Sequence, residues 1–272
     1  DDVNGNGIQD PGERTKTVDD RRAYWYSKAG TKFQISPRIG AAFPITERGV
    51  VHFSYGHFFQ VPRFEYLYQN PDFKIGLGTG NQGLIGNTDL QPEQTINAEL
   101  GISQQLTEDL AVDMTAYIRD IRNLTGTRSD EIVVFGGSAT YSKYVNSDFG
   151  FVKGIVVSLT KKFTGGVSAT ADYTYQVARG SASDPTEARN AVTSGALPEV
   201  QLVPLGWDQR HTLNATLSYN APSWGMSFIS QFGTGTPYTP RRSTDITSLL
   251  SNSQAKPQFF NIDGQAFYAL NV

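Results

Sequence analysis

Apolar and polar residues alternate along this chain with a period of two. From Thr95 to Ser103, Ile96, Ala98, Leu100 and Ile102 share one face, and Thr95, Asn97, Glu99, Gly101 and Ser103 share the other. A turn at Thr107-Glu108-Asp109 follows. Beyond it Leu110, Val112, Met114, Ala116 and Ile118 alternate with Ala111, Asp113, Thr115, Tyr117 and Arg119. This period marks a β-strand with one apolar face. The pattern predicts about nine strands, at 33–45, 50–60, 94–105, 110–123, 147–163, 166–179, 208–220, 225–236 and 258–270. Tight connections are expected at Thr46-Glu47-Arg48-Gly49, Thr107-Glu108-Asp109, Thr164-Gly165 and Ala221-Pro222-Ser223, each with turn-forming residues. Long polar connections are expected at 61–93, 124–146, 180–207 and 237–257.

Loops longer than about 12–15 residues are uncommon in compact soluble domains. Here all of them fall at one end of the strand array, and the tight turns fall at the other. Long strands with that asymmetry predict an all-β fold, an antiparallel transmembrane β-barrel with its long loops outside the cell. A soluble calcium-binding β-sandwich also alternates, but it does not account for the loop asymmetry. Tyr55, Phe58, Phe59, Tyr173, Tyr175, Phe228 and Phe232 are expected to form an aromatic girdle. Single-chain bacterial barrels close with even strand numbers. An odd count, an abrupt start and a final Ala269-Leu270-Asn271-Val272 read as mid-strand lead us to expect a fragment. It divides into an extracellular loop segment over 1–32 and part of a barrel over 33–272.

Composition adds constraints. The 272 residues include no cysteine, two methionines, 27 glycines, 13 tyrosines and 16 phenylalanines. That removes disulfides, thiolate metal sites and cysteine nucleophiles. The mean hydropathy of −0.36 is compatible with barrel strands, which turn only alternate residues to lipid. No apolar run approaches the roughly 20 residues of a membrane helix, and no signal peptide is recognisable at the start. A net charge of −3 without a basic stripe excludes nucleic acid as an expected partner.

The sharpest chemical motif is Asp2-Val3-Asn4-Gly5-Asn6-Gly7-Ile8-Gln9-Asp10-Pro11-Gly12-Glu13. Its spacing is that of a 12-residue calcium loop. Asp2, Asn4 and Asn6 are expected to supply side-chain oxygens, and Ile8 its carbonyl. Asp10 is expected to coordinate directly or through water and Glu13 in bidentate fashion, with Gly7 permitting the sharp turn. Pro11 and Gly12 oppose a following helix, so the expected role is a structural calcium bracing a loop. His52 and His57, five apart on one strand, face opposite sides and cannot share a metal. No spacing sets a nucleophile against a histidine, so no catalytic residues are expected. Glu93, Glu99, Asp113, Asp120 and Asp172 are expected to line or rim the lumen. Residues 63–86, beginning Arg63-Phe64-Glu65-Tyr66, mix aromatic and polar groups as a ligand-binding loop does. Loop size favours a peptide, protein or glycan over a small ion.

Four phrases resemble one family. They are Ser36-Pro37-Arg38-Ile39-Gly40 with His52-Phe53-Ser54-Tyr55-Gly56-His57-Phe58-Phe59-Gln60-Val61-Pro62; Asn87-Thr88-Asp89-Leu90-Gln91-Pro92-Glu93 through Glu99-Leu100-Gly101; Trp207-Asp208-Gln209-Arg210-His211-Thr212-Leu213-Asn214; and Gly233-Thr234-Gly235-Thr236-Pro237-Tyr238-Thr239-Pro240. In order and spacing, over about 33–270, they resemble the C-terminal barrel half of a TonB-dependent outer-membrane receptor. The Oar-like subgroup, with its carboxypeptidase-regulatory-like domain, is the most similar. The resemblance implies a barrel of roughly 22 strands, a plug domain and further strands outside this chain, and ligand import driven by the TonB complex. The alternative is a non-transporting structural or adhesion barrel with calcium-braced loops.

Overall fold

A computed structural model describes residues 11, 28–69, 83–127, 132–134, 139–195, 201–240 and 251–270. In chain order the strands are β1 (Arg38–Thr46), β2 (Gly49–Gln60), β3 (Gly83–Ile85), β4 (Glu93–Gln105), β5 (Leu110–Thr127), β6 (Ile132–Val134), β7 (Ala139–Thr164), β8 (Val167–Gly180), β9 (Val203–Pro204), β10 (His211–Asn220), β11 (Trp224–Gly233), β12 (Pro237–Tyr238), β13 (Gln254–Ala255) and β14 (Phe259–Tyr268). Nine of them form one antiparallel path, β1-β2-β4-β5-β7-β8-β10-β11-β14. These correspond one for one to the nine predicted strands. The path is an open barrel wall, with β1 at one edge and β14 at the other.

The ladders settle which residues share a face. One row runs His211, Tyr175, Ile155, Ala116, Leu100, Phe53, Ala41. It starts at the long-loop end of β10 and approaches the tight turn in β2, the drift expected of tilted barrel strands. This face is apolar and open: Leu100 is 58% exposed and Ile118 60%. The opposite face is polar, as in the row Pro44, Val50, Ser103, Asp113, Ser158, Asp172, Asn214, Gln231, Asn261. Large exposed side chains and a polar interior are the reverse of a soluble sandwich and match a wall with lipid outside.

Aromatic rings bound the apolar face at both ends. Tyr219, Trp224 and Tyr268 stand at the tight-turn end, with the Tyr219 and Trp224 rings 4.9 Å apart. Tyr55, His57, Tyr173, Tyr175, His211, Phe232 and Phe260 stand toward the other end. Tyr55 bonds His57 at 2.8 Å, and Tyr173 bonds His211 at 2.8 Å. From Trp224 to Phe232, at about 3.3 Å per residue and a tilt of about 40°, the band is about 20 Å tall, close to the usual apolar height. Phe58 does not belong to this girdle. It lies on the polar face under the Arg38 guanidinium, 4.5 Å from the ring centroid, because its neighbours Tyr55, His57 and Phe59 take the outward parity. Phe228 is outward but lies mid-band, opposite Leu217.

The tight turns are built locally. Gly165 and Gly166 have φ of 60° and 84°, the left-handed pair that a two-residue hairpin requires. At the next tight turn along the sheet the Thr107 hydroxyl bonds Asp109 at 2.6 Å and receives the Leu110 amide at 3.1 Å. Lys161, on the apolar face, reaches Asp109 and so brings its charge out of the band.

The long-loop end departs most from expectation. Residues 124–146 are largely strand: β5 runs on to Thr127 and β7 begins at Ala139. The extra length pairs with β6 and, in parallel, with β3. Register shifts between Ile121 and Gly126, with Asn123 at φ 57°, let the β5–β7 ladder continue beyond the band. The other predicted loops hold short elements, a helix at Phe64–Tyr68, a helix at Glu187–Thr193 and the β12–β13 pair. The predicted strand over 33–45 starts only at Arg38, although the Pro37 carbonyl already accepts the His57 amide at 2.9 Å. The segment 208–210 is not strand.

Leu100→Arg would place a charge mid-band on the lipid side. It is expected to destabilise the full-length barrel by about 2–4 kcal/mol, whereas Asn214→Arg, on the polar face, stays within about 1 kcal/mol. Denaturant titration of the full-length barrel folded into lipid vesicles measures both.

Candidate ligand-facing surface: the polar wall and the loop bases

Across the polar face a hydrogen-bonded belt crosses β2, β4, β5 and β8. Ser54 Oγ donates to Glu99 Oε2 at 3.1 Å, and Asn97 Nδ2 donates to Glu99 Oε1 at 2.8 Å. Arg119 Nε donates to Asn97 Oδ1 at 3.3 Å, and its guanidinium lies 5.0 Å from the Tyr117 ring. The Tyr117 hydroxyl donates to Gln176 Oε1 at 3.2 Å, passing over β7 at Gly154. A Cβ at Gly154 would stand 2.7 Å from that hydroxyl and 2.5 Å from the Tyr175 carbonyl oxygen, so only glycine lets the ring lie flat. Gly101 leaves room for His52 in the same way. Of the acids expected at the lumen, Glu93, Glu99, Asp113 and Asp172 share this face. Asp120 does not. Its parity is that of Ile118, and on the outward side it takes both Nε and Nη2 of Arg122, at 2.9 and 2.5 Å. His52 and His57 do face opposite sides, toward Thr115 and Tyr55 respectively.

At the long-loop end, side chains take over from backbone pairing. The Asn146 carboxamide accepts the Gln91 amide at 2.8 Å and donates to the carbonyls of Gln91 at 3.0 Å and Asn123 at 2.8 Å. Asp208 is 1% exposed. Its carboxylate receives the Ala178 amide at 2.8 Å and Arg210 Nε at 2.7 Å, so it anchors the chain where Trp207-Asp208-Gln209-Arg210 leads into β10. Above these joints Leu67, Leu84, Leu90 and Tyr144 form a small apolar cluster with Tyr66 against it. The Tyr66 and Tyr144 rings are 4.7 Å apart, and burial pushes the Tyr144 phenol up to about 12. Lys32 bonds Asp89 at 2.5 Å, and the Gly30 amide reaches the same oxygen at 3.2 Å. No cluster of three or more metal-binding side chains occurs among the described residues. The calcium-type loop of Asp2, Asn4, Asn6, Ile8, Asp10 and Glu13 lies outside the described residues.

The family profile "TonB dependent receptor-like, beta-barrel" matches residues 6–272. The chain belongs to the TonB-dependent receptor β-barrel family. Its place is therefore the bacterial outer membrane, with the long loops extracellular, the tight turns periplasmic and the polar face toward the lumen. A curated relative, the iron-regulated outer membrane virulence protein of Vibrio cholerae serotype O1, is 28% identical over 145 residues, 52% of this chain and 22% of the relative. Among solved structures, the ferric-catecholate import receptor Fiu of E. coli K12 superposes with a TM-score of 0.57 at 18% identity, covering 86% of this chain and 28% of that one. The ferric enterobactin receptor PfeA of Pseudomonas aeruginosa gives 0.59 at 20% identity, covering 87% and 32%. The chain thus spans about a third or less of the length of these relatives. The matched profile describes the family as a whole, and the Oar-like subgroup rests on the sequence phrases alone.

Asp148 supplies a pH response at the loop base, outside the membrane band. Burial raises its carboxyl from the ordinary 3.8 to about 6 and Glu187 adds to the rise, while bonds from Ser147 and Ser181 oppose it. The fold therefore favours the protonated form. Stability of this region falls as pH rises from about 4 to 6, and the penalty is complete above 6. Asp148→Asn is expected to abolish that dependence and to increase protection at pH 7. Hydrogen exchange of the Ser181 amide, which bonds the Phe149 carbonyl at 3.0 Å, measured at pH 5 and 7 and corrected for intrinsic rates, reads it. An equal pH response in the variant would refute the assignment.

Proposed function

We propose that this chain forms part of the barrel wall of an outer-membrane receptor that captures a ligand at its extracellular loops and imports it with energy delivered by the TonB complex. The observation that carries the reading is the lumenal belt from Ser54 to Gln176, joined above to stiffened loop bases, in a chain of this receptor family. A wall whose polar groups already bond one another is rigid, and a rigid wall suits a lumen through which a second domain or a ligand must pass. The first ligand class to test is a metal chelate, because the similar structures are named for ferric catecholate and enterobactin and the curated relative for iron regulation. The second class is a peptide, protein or glycan. The tall β5–β7 ladder above the band favours it, since it offers a broad surface.

The full-length receptor, expressed in strains with and without TonB, is given a radio-iron-labelled ferric catecholate. Uptake only in the TonB-positive strain is the expected result. Binding without uptake in either strain would favour the non-transporting adhesion barrel. Neither binding nor uptake would remove the catecholate class and move the search to peptides and glycans.

For the segment Asp2–Glu13 we propose a structural calcium site braced by Asp2, Asn4, Asn6, Ile8, Asp10 and Glu13. Calcium is expected to protect this segment of the full-length receptor from proteolysis. A chelator, or Asp2→Ala with Glu13→Ala, is expected to remove the protection. Cleavage that is indifferent to calcium would count against the site.

A further inference from the structure

The outward face is nearly free of charge, and the exceptions are ordered. Among the described residues of outward parity on the continuous ladders, below the register shifts at Ile121–Gly126, charges stand at two levels only. At the periplasmic level Lys161 reaches Asp109. At the extracellular level Asp120 and Arg122 on β5, Lys153 on β7 and Arg179 on β8 gather on three adjacent strands. Lys153 pairs across the ladders with Ile118 and Val177, and Phe151 pairs with Asp120 and Arg179. Lys153 and Arg179 are therefore diagonal neighbours, with Cα atoms about 7–8 Å apart. Both are exposed, and two long cationic side chains at that spacing can converge on one phosphate.

The nearby carboxylates are committed elsewhere. Asp120 is neutralised by the two-nitrogen grip of Arg122. Asp148, farther along β7, accepts from Ser147 and Ser181. Among the described residues neither Lys153 nor Arg179 enters an ion pair, so the pair retains two positive charges at the rim of the apolar band. Directly below lie Ile155, 42% exposed, and Tyr175, 38% exposed, with Val157 and Tyr173 next in the same rows. A cationic pair above an open aliphatic and aromatic strip complements an amphiphile with an anionic head and hydrocarbon tails.

We infer that Lys153 and Arg179 bind the phosphate of a lipid in the outer leaflet, whose acyl chain lies on Ile155, Val157 and Tyr173. The site is on the membrane side of the wall, apart from the lumen and the loops, and does not depend on what the receptor imports. The lysine and arginine stems run along apolar surface while their heads stay at the headgroup level, and each basic residue adds attraction to an anionic lipid.

The test uses the full-length receptor, stripped of lipid in neutral detergent and titrated with diphosphoryl lipid A, with bound lipid counted by native mass spectrometry. Wild type is expected to retain the phosphorylated lipid in preference to its dephosphorylated form. The double variant Lys153→Gln with Arg179→Gln is expected to lose about tenfold in binding. The charge-preserving exchange Lys153→Arg with Arg179→Lys is expected to keep it, which separates charge from folding. Equal binding by wild type and the glutamine variant, equal binding of the dephosphorylated lipid, loss in the charge-preserving variant, or full displacement by millimolar inorganic phosphate would each overturn the inference.

Discussion

In hydrocarbon a peptide group has no water to bond, so each amide and carbonyl on a spanning strand must find its partner on a neighbouring strand. That constraint organises this chain. The ladders run from β1 to β14 with their register shifts confined to the ends: Pro44/Thr46 and Lys161/Thr164 at tight turns, and Ile121 to Gly126 at the extracellular rim. Within the band pairing is continuous, and the period-two sequence follows from it, because alternate side chains must meet lipid and lumen.

The lumenal face solves a second problem. Polar side chains on a curved wall crowd one another, and glycine makes the space. At Gly154 and Gly101 the missing Cβ is occupied by Tyr117 and by His52. Each glycine lets a large neighbour lie along the wall instead of standing into the lumen. The belt from Ser54 to Gln176 is then held by geometry set on several strands at once.

The strands of the band were legible because lipid imposes strict alternation. The extracellular extensions were not. Residues 139–146 include Ser142, Lys143 and Asn146 and no alternating apolar set, since above the band no lipid faces the strand and Tyr144 packs instead into the cluster with Leu67, Leu84 and Leu90. Asp120 and Phe58 lie on the sides opposite to those expected, and parity fixes both. An acid on a strand suggests the lumen by its type and Phe58 sits beside the outward Phe59, but adjacent strand residues cannot share a face, and parity alone decides. The polar pattern continues through Asp208, Gln209 and Arg210, but β10 starts only at His211: the Ala178 amide goes to the Asp208 carboxylate, the Asp208 and Gln209 amides turn back to Leu205 and Trp207, and backbone pairing with β8 resumes at the Arg210 carbonyl, which accepts the Gln176 amide. The family was readable from ordered phrases. The belt of polar contacts was not, because cross-strand partners depend on register.

Asn146 and Asp208 have one more consequence. Each supplies from a side chain what a strand would supply from its backbone, Asn146 at the register shift of the β5–β7 ladder, where it holds the lead-in to β4 at Gln91, and Asp208 just before β10. They act as splices between a fixed wall and the segments that leave it. A loop that lengthens or changes composition transmits its pull to a carboxamide and a carboxylate, and the register beneath stays where it is. The same wall can therefore carry very different loops without a shift in its register.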